Sequence, residues 1–242
     1  MDETRVHVVA NGKGGVGKTT VCFNLAAVVE YVRNPDRSKP TRTAVVSIDR
    51  QTTGAFWKQQ ADTLAPNPLR FDFYQMPNEP ERVGELKASG RYANILVDTA
   101  GFRGRNTELE TVIEFADDAL VPMNPDGKSL DPTEQIMTGL LVPRQIPYKI
   151  VVNDWDPRDG KNHRDDTFAW IDAHGWVRVE HAIRRYRAHA SAAEDGLTVP
   201  DYPSKTVRAN GLEDFLKLAL DIGLNSARPH LAQLELAKAG ES

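Results

Sequence analysis

The sequence has 242 residues, of which 40% are hydrophobic, enough for a substantial buried core without disulfide or metal staples. Its 30 basic and 34 acidic side chains leave a net charge of −4, which excludes a general polycation and leaves only a local basic patch for any contact with nucleic acid. The single cysteine, Cys22, excludes an intramolecular disulfide and a cysteine-ligated zinc or iron–sulfur centre within one subunit, and it fits a reducing cytosol.

Residues 1–4 are polar and run directly into a β-branched stretch, with no apolar segment long enough for a signal peptide or a membrane span, so a soluble, unprocessed chain is expected. Short β-branched runs at residues 6–10, 43–49, 94–98, 119–123 and 148–153 alternate with helical stretches. That alternation predicts an α/β fold, a mostly parallel twisted sheet flanked by helices on both faces. Residues 18–33, rich in Asn24, Leu25, Ala26, Ala27 and Val28, read as an amphipathic helix, and the proline-broken stretch 34–40 reads as a surface loop. Without repeats or low-complexity tracts, the expectation is one domain over residues 1–226. Residues 227–242, with Leu231, Leu234 and Leu236, form a tail or short helix.

Between the first strand and the first helix stands Gly12-Lys13-Gly14-Gly15-Val16-Gly17-Lys18-Thr19-Thr20. Gly12, four residues, then Gly17, Lys18 and Thr19 satisfy the Walker A pattern, in which backbone N–H groups and a helix N-terminus surround phosphate oxygens. The glycines let the backbone approach phosphates closely, Lys18 reaches the β- and γ-phosphates, Thr19 offers a hydroxyl to Mg²⁺, and Thr20 with the first-turn amides serves the α-phosphate. The alternative, a glycine-rich turn without a ligand, has no use for Lys-Thr at this place. The apolar run 94–97 closes on Asp98, as in a Walker B segment, which makes Asp98 a Mg²⁺-shell residue. Gly101 can turn its backbone N–H to a γ-phosphate, so residues 99–105 read as a nucleotide-sensing loop that Arg103 and Arg105 could join.

Lys13, directly after Gly12, gives an octet that resembles the deviant Walker A of ParA and MinD proteins. In that family the early lysine reaches across a dimer interface to the other subunit's nucleotide, so the resemblance implies that Lys13 couples ATP binding to dimerisation; the alternative is a solvated surface lysine. Residues 47–51, Ser-Ile-Asp-Arg-Gln, match the family's Asp-x-Asp-Pro-Gln segment at Asp49 and Gln51 and depart from it at Ser47 and Arg50. The resemblance makes Asp49 the carboxylate that orients the attacking water or holds Mg²⁺ through water; a capping aspartate in a turn is the alternative. Lys13, Lys18 and Asp49 are then the catalytic set. Asn153 is similar in placement to the family's adenine-contacting asparagine, against a strand-end turn with Asp154.

ParA proteins bind DNA without sequence preference as ATP dimers. Residues 182–187, with Arg184, Arg185 and Arg187 around Tyr186, are similar in placement to their arginine-bearing segment; a solvated face or an internal salt-bridge cluster accounts for the same arginines. With only a few residues ahead of Val6, the chain resembles the short partition ATPases that lack an N-terminal helix-turn-helix domain. The likeness spans roughly residues 5–225. It implies an ATPase using ATP and Mg²⁺, a homodimer with ATP, a ParB-like centromere-binding partner, and segregation of plasmid or chromosomal DNA on the nucleoid, with no membrane. A MinD-like membrane-cycling role would need a basic-faced C-terminal helix, whereas Glu235 and Glu241 oppose anionic lipid. A metabolic P-loop ligase would need substrate-binding residues that the sequence does not display. A nitrogenase-reductase-like protein would need cysteines that a lone Cys22 cannot supply.

Overall fold

Burial on both faces is what turns the β-branched runs into neighbouring parallel strands, because only a covered sheet tolerates near-continuous apolar segments. The computed structural model describes residues 3–64, 69–102, 104, 106–224 and 227–239. Its strands are β1 (Arg5–Val9), β2 (Thr43–Ser47), β3 (Asp72–Gln75), β4 (Asn94–Asp98), β5 (Asp118–Met123) and β6 (Tyr148–Val152). They form one 6-stranded sheet in the order β3-β2-β4-β1-β5-β6, and every pairing is parallel. The sequence reading omits β3: this edge strand, Asp-Phe-Tyr-Gln, has no β-branched residue and is half-buried throughout, so it lacks the signal that marks its neighbours.

One face of the sheet packs on α1 (Lys18–Arg33), α2 (Thr53–Leu64), α7 (Arg187–Asp195) and α8 (Lys205–Asp221), using Val9, Val45, Leu96, Leu120 and Val151 from the strands. The alternate strand positions, among them Val8, Val46, Val97 and Val121, pack on α3 (Arg82–Ala88), α4 (Thr107–Ile113), α5 (Leu130–Ile136) and α6 (Asn162–Ala173). Strand alternation thus loads both faces, as the sequence predicts. Helix α9 (Arg228–Ala239) leans on the first face through Leu231 and Leu234 and leaves Leu236 outside. No described helix is long and apolar enough to cross a membrane.

Helix α1 has the expected bounds but not the expected amphipathic character. It lies between the sheet, α8 and the turn Val199–Asp201, and is buried on most of its circumference. The polar residues on it are therefore used internally. Asn24 donates its amide to the Thr20 carbonyl and accepts from the Val199 N–H, and Glu30 takes Arg33 and the Arg42 N–H. Phe23 stacks on Trp57 of α2 at 4.5 Å between ring centres. Both rings are fully buried, each worth about 2–3 kcal/mol of apolar transfer. Cys22 is a small residue of the same core, and burial pushes its thiol well above the ordinary range.

Candidate functional site

In the sheet register Val9 and Ser47 both lie beside Asp98, so β1, β2 and β4 end level with one another. The loops that leave these ends gather at the N-terminus of α1 around a cavity of about 550 Å³. Gly15 and Gly17 have left-handed backbones, with φ of 76° and 86°. A Cβ on Gly14 or Gly15 would meet nothing, so the space those glycines leave is room for a ligand's close approach. A Cβ on Gly17 would collide with the Asn153 amide.

Lys18 is 7% exposed, and its ammonium donates to the Lys13 carbonyl at 3.0 Å. Burial lowers its pKa, against the opposing charges of Asp98 and Asp49. Thr19 Oγ1 donates to Asp98 Oδ2 at 2.9 Å, and Ser47 Oγ donates to the same oxygen at 3.3 Å. Asp98 Oδ1 is buried without any partner. Burial raises the Asp98 carboxyl to about 7, opposed by the Thr19 bond and reinforced by the Asp49 charge. An orphaned carboxylate oxygen beside a threonine hydroxyl is a fitting donor set for a hard cation. Among the described residues no group of three or more His, Cys, Asp or Glu gathers, so such a cation would complete its shell with phosphate and water, the habit of Mg²⁺.

Asp49, 9% exposed, lines the same cavity as Gln51 and accepts the Gln51 N–H at 2.8 Å, so it closes a turn and faces the site at once. Gly101 packs on Gly14, and the Phe102 N–H donates to the Gly12 carbonyl at 2.9 Å, which seats the loop after β4 on the phosphate loop. Arg103 and Arg105 lie outside the described residues. Gly12, Thr20 and Thr53 complete the cavity wall. Asn153 donates to the Val16 carbonyl at 2.8 Å and thereby braces the phosphate loop from behind.

Lys13 is not a free surface lysine. Its ammonium bonds both carboxylate oxygens of Asp126 and the Ser129 hydroxyl, each at 3.0 Å, within its own subunit. Burial works against the Asp126 charge, but the Lys13 and Ser129 bonds outweigh it and hold the carboxyl below its ordinary value. Sequence reasoning missed Asp126 and Ser129 because their relevance depends on β5 lying next to β1. It also missed the pair Arg50–Glu108 at 2.9 Å, which ties the loop after β2 to the start of α4.

The three arginines at 184–187 do not form one patch. Arg184 is only 21% exposed and bonds Asp214, Glu213 and the Asn210 carbonyl. Burial opposes its charge, and the Asp214 bonds outweigh that and raise its pKa. Arg185 is exposed and pairs with Asp154 at 2.8 Å, while Arg187 is exposed at the start of α7.

The fold is that of the P-loop NTPases, and the phosphate loop carries the two lysines of the deviant Walker A pattern. No protein-family model matches the chain. It is 28% identical over 204 residues to maintenance of carboxysome distribution protein A of Gloeobacter kilaueensis, covering 84% of this chain and 88% of that protein. The septum site-determining protein MinD of Pyrococcus horikoshii, solved with Mg-ADP, superposes with a TM-score of 0.65 at 19% identity over 91% of this chain and 96% of that one. A putative plasmid partition protein of Borrelia burgdorferi bound to AMPPNP gives 0.63 at 15% identity over 89% and 99% of the two chains. In sequence the chain is similar to a carboxysome-distribution protein, and in fold it is similar to MinD and plasmid-partition proteins, the resemblance that its phosphate loop implies.

Proposed function

We propose that the chain is a Mg²⁺-dependent ATPase whose ATP state is a homodimer that binds DNA without sequence preference and positions a cargo on the nucleoid of a cytoplasm, stimulated by a partner of the ParB kind. The observation that carries this reading is the buried, unpartnered Asp98 oxygen beside Thr19 at a phosphate loop with two lysines. Mg²⁺, when bound, supplies positive charge against the phosphates, and Thr19 and Asp98 are the residues that would hold it, with Asp49 acting through water. Lys18 and the backbone amides of residues 12–20 bind and orient the phosphates. Asp49 holds the attacking water and accepts its proton, and Gly101 reads the terminal phosphate. Lys13 must leave Asp126 and Ser129 to reach a second subunit, so its present bonds describe a monomer-state rest position. Asn153 braces the loop from behind through its bond to Val16, and contact with the base is the further role proposed for it.

For DNA, the exposed Arg185 and Arg187 are the phosphate-contacting side chains, and Arg184 fixes the segment that carries them. Residues 1–226 act as one ATPase domain. The cargo is a plasmid, a chromosome or a protein body, since the relatives named above include proteins of carboxysome distribution and of plasmid partition. Helix α9 argues against the membrane-cycling alternative, because Leu231 and Leu234 are already packed on the core. The test is binding to a random-sequence duplex with ATP, with ADP and without nucleotide at one moderate salt concentration. ATP-selective binding is expected. Equal binding in all states refutes the switch, and absence of binding in all states transfers the reading to a membrane or metabolic role.

A further inference from the structure

The edge strand β3 and the residue after it touch the segment that leaves β2 before, within and after the turn at Asp49. The Met76 N–H donates to the Ser47 carbonyl at 2.8 Å. The Gln75 side-chain amide donates to the Asp49 carbonyl at 2.6 Å. The Phe73 ring lies against Gly54 in the first turn of α2, where a Cβ would come within 3.0 Å of it, and it packs on Phe23 at 5.4 Å between ring centres. The strand is anchored in its turn by Tyr92, whose hydroxyl meets the Tyr74 hydroxyl and the Asp72 carboxylate.

Of these contacts the Gln75 bond bears directly on the site. A backbone carbonyl only accepts, so the group that faces it is the NH₂ of the side-chain amide, and Oε1 is left on the other side. That oxygen is buried with no hydrogen-bond partner. An orphaned buried acceptor is a cost that a leucine of similar bulk would avoid, so the donor is the part of glutamine that the fold uses here. Among the described residues no backbone N–H reaches the Asp49 carbonyl. Asp49 is thus held at two points, its carbonyl by Gln75 and its Oδ1 by the Gln51 N–H at 2.8 Å. Its charge acts on both Lys18 and Asp98 across the cavity that Asp49, Gln51 and Thr53 line.

From the bond to the Asp49 carbonyl and the buried, unused Oε1 we infer that Gln75 is a positioning residue for ATP hydrolysis, which fixes the Asp49 peptide so that the carboxylate meets the attacking water. The inference rests on the reading of Asp49 as the residue that holds that water. Gln75 does not line the nucleotide cavity and acts only through Asp49. Its loss therefore leaves the phosphate loop and nucleotide binding as they are and lets the carboxylate move off line. A reacting group misplaced by about 1 Å costs about a hundredfold in rate, which bounds the effect from above.

The full chain is compared with Gln75→Leu, which keeps the bulk and removes the donor together with the orphaned acceptor, and with Gln75→Glu, which keeps the shape and offers no donor when ionised. Without nucleotide, backbone hydrogen exchange reads the clamp itself. The Gln51 N–H should exchange about tenfold faster or more in both variants, while the Met76 N–H, bonded to Ser47, keeps its protection. With nucleotide, kcat for ATP should fall about tenfold to a hundredfold while affinity for Mg·AMPPNP stays within about twofold. In an Asp49→Asn background, Gln75→Leu should cost no further turnover. Unchanged Gln51 protection, equal losses in kcat and Mg·AMPPNP affinity, or a second full loss of turnover on top of Asp49→Asn overturns the inference and leaves the reading of Asp49 standing. Parent-level turnover in Asp49→Asn alone instead refutes the reading of Asp49 and takes the inference with it.

Discussion

Replacing Asp98 by asparagine isolates the energetics of the proposed cation site in the metal-free protein. Burial, with the charge of Asp49 added and that of Lys18 opposing, lifts the Asp98 carboxyl from an ordinary 3.8 to about 7. Between those values the folded chain keeps a proton that the unfolded chain has released, so this carboxyl's stabilising contribution is full below about pH 4 and is lost as pH rises through about 7. The gap corresponds to about 4 kcal/mol as an upper bound. Asparagine does not ionise, but its amide would stand unpartnered where Oδ1 now is, a cost of about 1–2 kcal/mol at every pH. Urea unfolding in EDTA should therefore find Asp98→Asn about 1–2 kcal/mol less stable than the parent at pH 4 and about 2 kcal/mol more stable at pH 8. Mg²⁺ with nucleotide should stabilise the parent at pH 8 and leave the variant unmoved. A difference between the two proteins that stays flat from pH 4 to pH 8 would refute the account of a buried, unpaired carboxylate.

Lys13→Ala should bind ATP within about twofold of the parent yet sediment as a monomer, since its bonds to Asp126 and Ser129 lie outside the nucleotide cavity; an ATP-dependent dimer would contradict the cross-subunit role. Asp126→Asn, which weakens the same-subunit hold on that lysine, should shift dimerisation to lower protein concentration. Arg184→Ala should lose about 3 kcal/mol in a denaturant series because Asp214 would be left buried and unpaired, whereas Arg187→Glu should stay within about 0.5 kcal/mol and weaken duplex binding. Gly17→Ala should unfold at lower temperature and lose nucleotide binding, and removing the Asn153 amide as well should not rescue it, because the left-handed backbone remains.

The sheet and the phosphate loop were legible because each depends on short-range pattern: β-branched runs mark buried parallel strands, and glycine spacing with Lys18 and Thr19 marks an anion cradle. What escaped depends on neighbours in space. Strand β3 has no apolar alternation of its own and exists because β2 offers it an edge. The burial of Asn24 and Glu30 looks like a polar helix face in sequence, yet the turn at Val199 and the Arg42 backbone are the partners that make it internal. Asp126, the residue that decides where Lys13 points, is separated from it by four strands' worth of chain and meets it only through the β1–β5 adjacency. Arg184 read as one of three equal cations, and its partner Asp214 comes from a helix that no local pattern links to it.

The enclosure of α1 fixes how motion can enter this molecule. A helix gripped on nearly every side, with Asn24 tied to Val199 and Glu30 tied to Arg42, cannot roll or slide without tearing open the larger of the two cores. The phosphate loop at its head is therefore a stator. Any rearrangement that follows the loss of a phosphate must be taken up by the segments hung around it, at residues 49–53 and 99–102, with the exposed Arg50–Glu108 pair as the link that yields between the loop after β2 and the start of α4.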